Sequence, residues 1–199
     1  MKFIFLEVNK KQCEKVANII QNLRFRKSFY QDEFTLIKVD PEIKMRAYIY
    51  SIAICHQTHT LISKKRNLVG WGYLKFVFTK LMKTNSELLD PKYLEKLTTD
   101  ELSEKLKPFF CEDDPNVCTL DRLEERSRFI IDISKVLSEK YDGKITKLVE
   151  LSNIFLINDG KGLYELLEDF DCYSDTLRKK STVFFEIFNG IWTTPAKRP

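Results

Sequence analysis

The sequence predicts a mainly α protein with at most a minor β element. Three observations carry this expectation. The 199 residues include only six Gly and six Pro, few for an all-β chain that needs many tight turns. Apolar residues return at three- and four-residue steps through most segments, the spacing of a helix face. One stretch alone, Phe34-Thr-Leu-Ile-Lys-Val39, reads as β-like. Hydrophobic residues make up 43% of the chain, with fifteen Phe and eight Tyr, which is ample for a core and excludes general disorder.

Taken in order, Asn9 is placed to cap a first helix carrying Cys13, Val16, Ala17, Ile20 and Leu23 on one face. Asp40-Pro41 joins a cap residue to a proline at the first helical position. Met45, Tyr48, Ile49, Ile52 and Cys55 or His56 then share a face, so this helix is expected to run into Ile54–His59. Leu68-Val-Gly-Trp-Gly-Tyr-Leu74 restarts the chain, and Trp71, Leu74, Phe78 and Leu81 stripe the next helix. Asp90-Pro91 opens a short helix, and Thr98-Thr-Asp-Glu101 is a capping box opening another. A long helix from about Leu120 to Tyr141 is stopped by Asp142-Gly143. Further helices are expected over 144–156, 162–170 and 177–190. The chain reads as a single α-helical domain over 1–199. Its most turn-rich loop, Cys111–Cys118, would divide it into subdomains 1–110 and 118–199.

Charge and cysteine usage narrow the class. The net charge is +4, from 33 basic and 29 acidic residues. This is a mixed, solvated surface rather than the dense positive field of a dedicated nucleic-acid binder. The cysteines, Cys13, Cys55, Cys111, Cys118 and Cys172, are odd in number and form no CxxC pair. The opening Met1-Lys-Phe-Ile-Phe-Leu-Glu7 has an apolar run too short for a signal core or a membrane span. The expectation is a cytoplasmic protein with reduced thiols and no membrane partner.

Both histidines fall in Ile54-Cys-His-Gln-Thr-His59. A zinc site needs three or four ligands, and no other histidine exists to join His56 and His59. A Cys55–His56 dyad is disfavoured because neighbours on a helix diverge by about 100°, and Cys55 with His59 lacks an orienting third residue. No metal site is expected. Gly70-Trp71-Gly72 lacks the spacing and the Lys-Ser/Thr of a phosphate loop; its glycines fit a tight helix entry with Trp71 turned inward.

Arg126 falls on the apolar side of the long helix, among Leu123, Ile130, Ile133, Leu137 and Tyr141. A guanidinium there must be paired. Two readings stay open: a clamp for an anion or carboxylate, and an internal tie to a helix end or a loop carboxylate. Glu124 and Arg128, four apart, fit a surface pair. Near the C-terminus, Ser174 or Asp175 opens a helix with Arg178, Lys179 and Lys180 in its first turn. This is either a phosphate cradle or a solvated basic turn.

The order of these motifs resembles the queuosine salvage family, the queuosine 5′-phosphate N-glycosidases, whose helical fold is akin to the helical DNA glycosylases. The residues that carry the resemblance are Ile54–His59, Gly70-Trp-Gly-Tyr-Leu74, Leu120-Asp-Arg-Leu-Glu-Glu-Arg126, Lys140-Tyr-Asp-Gly143, Leu163-Tyr-Glu-Leu-Leu167 and Lys179-Lys180, within about 45–192. The resemblance implies recognition, with or without cleavage, of the N-glycosidic unit of a purine or modified base in a nucleoside, nucleotide or nucleic acid, without a cofactor. It assigns Cys55, His56, Gln57, His59 and Trp71 to the base. It assigns Arg126, Arg178, Lys179 and Lys180 to phosphate or sugar, with Glu124, Glu125 and Asp175 as polar support.

Two departures accompany it. The family's Asn-Phe-x-Phe-Trp base pocket is replaced by Cys55-His-Gln-Thr-His59, which implies a different base. The family's catalytic aspartate lies in an Asp-Tyr segment beyond the position of Trp192, and Thr193–Pro199 offers no counterpart. The catalytic residue is therefore left unassigned. A catalytically silent relative and an α-helical interaction module stand as alternatives.

Overall fold

The computed structural model describes residues 9–22, 37–153, 155–174, 180, 181 and 184. Helix α1 covers Lys10–Asn22, and the side chain of Asn9 accepts from the Gln12 amide at 3.1 Å. Helix α2, Pro41–Ala53, starts where Asp40-Pro41 places it, with the Asp40 carboxylate accepting from the Glu42 amide at 2.7 Å. It is buried almost all round, not on one face: Met45, Ala47, Tyr48, Ile49, Tyr50, Ser51, Ile52 and Ala53 are all covered. A helix apolar on every side belongs at the centre of a domain, and α2 is that central element.

The β element is a two-stranded antiparallel hairpin, β1 Ile62–Ser63 with β2 Leu68–Val69. The β-like run at 34–39 does not provide it. Its first three residues lie outside the described set, and Ile37–Val39 are irregular, with the Val39 amide bonded back to the Ile37 carbonyl. Gly70 then turns the chain with φ of +54°, and its amide donates to the Leu61 carbonyl at 2.7 Å. A side chain there would be strained by that φ, although it would meet Thr58 only in ordinary contact.

Helix α3 follows as Trp71–Thr84. Helix α4, Pro91–Leu94, and helix α5, Thr99–Leu106, carry their expected caps; the Thr98–Glu101 box is closed in both directions. Helix α6, Leu123–Tyr141, packs against α2, α4 and α5. It begins three residues later than expected, because Arg122 takes a left-handed conformation and Asp121 is used elsewhere. Asp142 and Gly143 end it in the left-handed region, with the Gly143 amide returning to the Leu137 carbonyl at 2.8 Å.

Helix α7, Ile145–Leu151, and helix α8, Leu163–Leu167, are shorter than the apolar pattern suggests. The Glu42 carboxylate of α2 caps the first amides of α7, reaching Thr146 at 3.1 Å. Lys180, Ser181 and Phe184 are helical; the rest of the expected 177–190 helix lies outside the described residues. Buried apolar side chains from Met45 to Phe184 form one cluster.

The loop 111–118 has a clasping role. Asp113 accepts from Ser63 Oγ at 2.8 Å and from the amides of Lys64 and Lys65 at 2.6 and 3.1 Å, and Glu112 pairs with Arg66 at 2.7 Å. It thus holds the hairpin turn. Among the described residues, no helix is long and apolar enough to cross a membrane.

Candidate functional site

The site grows from the C-terminal end of α2. The last carbonyls of any helix lack intrahelical partners, and that end carries partial negative charge. Here two cations from distant segments satisfy them. Lys180 Nζ donates to the Ala53 carbonyl at 2.9 Å, and Arg126 Nη1 donates to the Ile54 carbonyl. Arg126 also donates from Nε to the Asp121 carbonyl at 2.8 Å and from Nη2 to Asp121 Oδ1 at 2.7 Å. Its side chain is 0% exposed. All three guanidinium nitrogens are engaged by the chain itself, and the contacts are those of an internal tie to both a helix end and a loop carboxylate. The Arg126 hydrogen bond holds the Asp121 carboxyl below the usual carboxylate range.

These contacts also explain why α2 stops at Ala53 rather than running through His56. Once the carbonyls of Ala53 and Ile54 are capped from outside, the chain leaves the helix, and Gln57 turns it with φ of +50°. Thr58–Thr60 form a 3₁₀ turn. The side chains of Ile54–His59 therefore do not follow helical spacing. Gln57 is exposed, and its Oε1 accepts from Arg122 Nη2. His59 is exposed beside Asp121, whose acidity it reinforces. Cys55 is half-buried, and burial pushes its thiol up despite Lys180 and Arg126 nearby. A protonated thiol is a poor nucleophile and a poor metal ligand. Among the described residues no three His, Cys, Asp or Glu side chains gather as a metal site.

His56 is half-buried and turns toward Phe129. Its ring meets Phe129 edge-on, with centroids 5.8 Å apart and planes at 69°. Burial lowers its pKa, and the charges of Arg126 and Lys180 lower it further, so the imidazole is neutral at neutral pH. Its Nδ1 is buried and has no well-formed hydrogen bond among the described residues. The one backbone acceptor acting on the ring, the Ala53 carbonyl, is shared with Lys180.

Phe129 links this end of α2 to a cleft. The Lys180 ammonium stands 5.4 Å from the centroid of its ring, and the Arg128 guanidinium 5.7 Å. The cleft, about 270 Å³, is lined by Phe129, Ile133, Val136 and Phe170 together with Asp132, Asp171 and Cys172. Burial pushes the Cys172 thiol up to about 12. Asp169 also lines it, held by Lys140 Nζ and the Tyr141 hydroxyl, both at 2.7 Å.

The structure therefore brings together part of the expected set. Cys55, His56, Arg126 and Lys180 converge, while Gln57 and His59 face outward on the same turn. Trp71 is half-buried at the start of α3 and packs on the core, joined to this turn through Gly70 and Thr58. Glu125 pairs with Arg122 at 3.4 Å. Glu124 is exposed, and its expected pair with Arg128 is not formed; Arg128 lies by Phe129 instead. Asp175, Arg178 and Lys179 lie outside the described residues.

The family model for queuosine salvage protein matches residues 44–186. The chain belongs to the queuosine salvage family. No curated protein matches it. The matched span opens in α2 and takes in the Ile54–His59 turn, Asp121–Phe129, the whole cleft and Lys180. The helical fold expected from the resemblance is thus observed together with the family itself.

Sequence reasoning missed Phe129, Asp121 and the cleft. The signal for Phe129 was an aromatic at the edge of the apolar stripe of α6, between Arg128 and Asp132. Asp121 stands five residues before Arg126, an arginine on an apolar helix face that requires a counter-charge. The cleft forms where α6 meets the turn at 170–172, and no local pattern announces it.

Proposed function

We propose that this protein binds the base of a modified purine nucleoside or nucleotide at the junction of His56, Phe129 and the adjoining cleft, and cleaves its N-glycosidic bond. The observation that carries this reading is His56: a neutral, half-buried imidazole whose Nδ1 is covered without a well-formed hydrogen bond, beside an aromatic ring and within the family-matched span. A base edge satisfies such a nitrogen, and a base face stacks on such a ring. Lys180 keeps two of its three N–H groups beyond the Ala53 contact, and Arg128 is exposed beside it. Both suit a phosphate at the mouth. Arg126 acts as a positioning residue, holding the turn that carries His56.

In cleavage, the C1′–N bond breaks, its electron pair leaves with the base, and positive charge builds on the sugar. A carboxylate beside C1′ stabilises that charge and takes a proton from the water that adds. Asp132 lines the cleft three residues from Phe129 and is the carboxylate we assign to this task.

The test is incubation of the full chain with queuosine 5′-phosphate and with unmodified purine nucleoside 5′-monophosphates, followed by chromatography for free base. Release of the modified base supports the reading. Saturable binding without release reduces the protein to a binding relative. Neither binding nor release, with a normal helical circular dichroism spectrum, overturns it.

A further inference from the structure

A second feature lies in the loop 111–118 that clasps the hairpin. Its neck is closed by one backbone hydrogen bond, reinforced by a side chain. The Thr119 amide donates to the Phe110 carbonyl at 2.9 Å, and Thr119 Oγ1 donates to the same oxygen at 3.0 Å. Phe110 ends a 3₁₀ turn and Cys111 leaves it with φ of −114° and ψ of 37°, so Cys111 and Cys118 are the residues just inside the bond that closes the loop.

The two side chains meet inside this neck. The Cys118 thiol interacts directly with that of Cys111. Both are free thiols, held by weak sulfur hydrogen bonds, Cys111 to the Lys107 carbonyl at 3.1 Å and Cys118 to the Leu120 carbonyl at 3.5 Å. Cys111 is 8% exposed, whereas Cys118 is half-buried and reachable from solvent. Between them lie Glu112 and Asp113, which hold Arg66 and the Ser63–Lys65 turn.

We propose that Cys111 and Cys118 are a redox-active pair that closes to a disulfide across the neck of this loop and locks the loop onto the β1–β2 hairpin. The oxidant is a low-molecular-weight disulfide such as oxidised glutathione. The Cys118 thiolate attacks one sulfur of glutathione disulfide, forming a mixed disulfide and releasing one glutathione. The Cys111 thiolate then attacks the protein-side sulfur and releases the second glutathione. Two protein thiols are oxidised, one small disulfide is reduced to two thiols, and the two protein-thiol protons pass through solvent to the departing glutathione thiolates. Burial keeps the Cys118 thiol protonated, so the first step is slow at neutral pH and accelerates as pH rises.

The test is equilibration of the folded full chain in glutathione redox buffers, acid quenching with alkylation of free thiols, and peptide mapping by mass spectrometry. The expected result is one intramolecular link between Cys111 and Cys118, two hydrogens lighter than the reduced pair. Cys13, Cys55 and Cys172 remain alkylated, and the link disappears on reduction. The closing rate should rise with pH between 7 and 9, and amide exchange at Lys64 and Lys65 should slow in the oxidised protein. In C118S, Cys111 should stay a free thiol. Stable glutathione adducts on either cysteine without a link, a link to any other cysteine, or a link forming only in denaturant would each overturn the proposal. None of these outcomes depends on base binding.

Discussion

Arg126 Nη2 stands 2.7 Å from Asp121 Oδ1, and the two residues differ sharply in their access to water. The arginine side chain is fully buried, whereas the aspartate side chain is 36% exposed. The tie that ends α2 is therefore asymmetric in its consequences. Removing the aspartate strands a charge in the core, while removing the arginine leaves a carboxylate that water can reach. D121A should destabilise the fold by about 3–5 kcal/mol, the cost of leaving a buried charge uncompensated. R126M should cost about 1–3 kcal/mol, the loss of a donor to the Ile54 carbonyl. Urea titrations of the two variants check the order, and an R126M loss larger than that of D121A would contradict it.

Stability should also respond to pH through His56. Burial, Arg126 and Lys180 lower its folded pKa below the ordinary 6.5, so between the two values the unfolded chain binds more protons. Stability then rises with pH through this window and falls as the solution is acidified below about 6.5. Unfolding midpoints of wild type and H56Q between pH 5 and 8 should diverge, with the wild type steeper. Parallel curves would mean that the imidazole titrates normally.

The hairpin clasp predicts a second, more acidic transition. Amide bonds from Lys64, then the Ser63 hydroxyl and Lys65, hold the Asp113 carboxyl below its ordinary 3.8. The clasp is thus intact above that pH and is lost as pH falls through the lowered folded value. In D113A the amides of Lys64 and Lys65 should exchange hydrogen faster at neutral pH, without a change in the α2 and α6 amides. Unchanged exchange at 64 and 65 would show that the loop does not hold the turn.

If Asp132 is the carboxylate that meets the developing charge, D132N should lower base release by about 10²–10⁴-fold, the range for a positioned acid or base. Nucleotide affinity should stay within a few-fold of wild type. A loss confined to affinity would place Asp132 in binding instead.

What the sequence made legible follows from how local each determinant is. Asp40-Pro41, Asp90-Pro91 and Thr98–Glu101 each act within one helical turn, and each caps its helix as written. Asp142-Gly143 is equally local and stops α6 where it should. The end of α2 is different: it is decided by Arg126 and Lys180, 72 and 127 residues away from the carbonyls they cap. Helical spacing therefore overran Ala53 and misplaced the side chains of Cys55–His59. The hairpin was missed because two-residue strands carry no alternation to read, and its turn is held by Asp113 from 48–50 residues on. Arg126 was recognised as anomalous from its helical position alone; its role required a partner that lies outside the helix. Phe129 was hidden by ambiguity, since an aromatic at the edge of an apolar stripe serves a core as readily as a cleft.

The most direct test is calorimetric titration of queuosine 5′-phosphate into the wild-type chain and into F129A, each verified as folded by circular dichroism. Base–aromatic stacking is worth about 1–3 kcal/mol per base, so a single saturable site should appear in the wild type and weaken by that amount in F129A. Equal affinity in the two proteins, or no binding by the wild type, would contradict the site at His56 and Phe129.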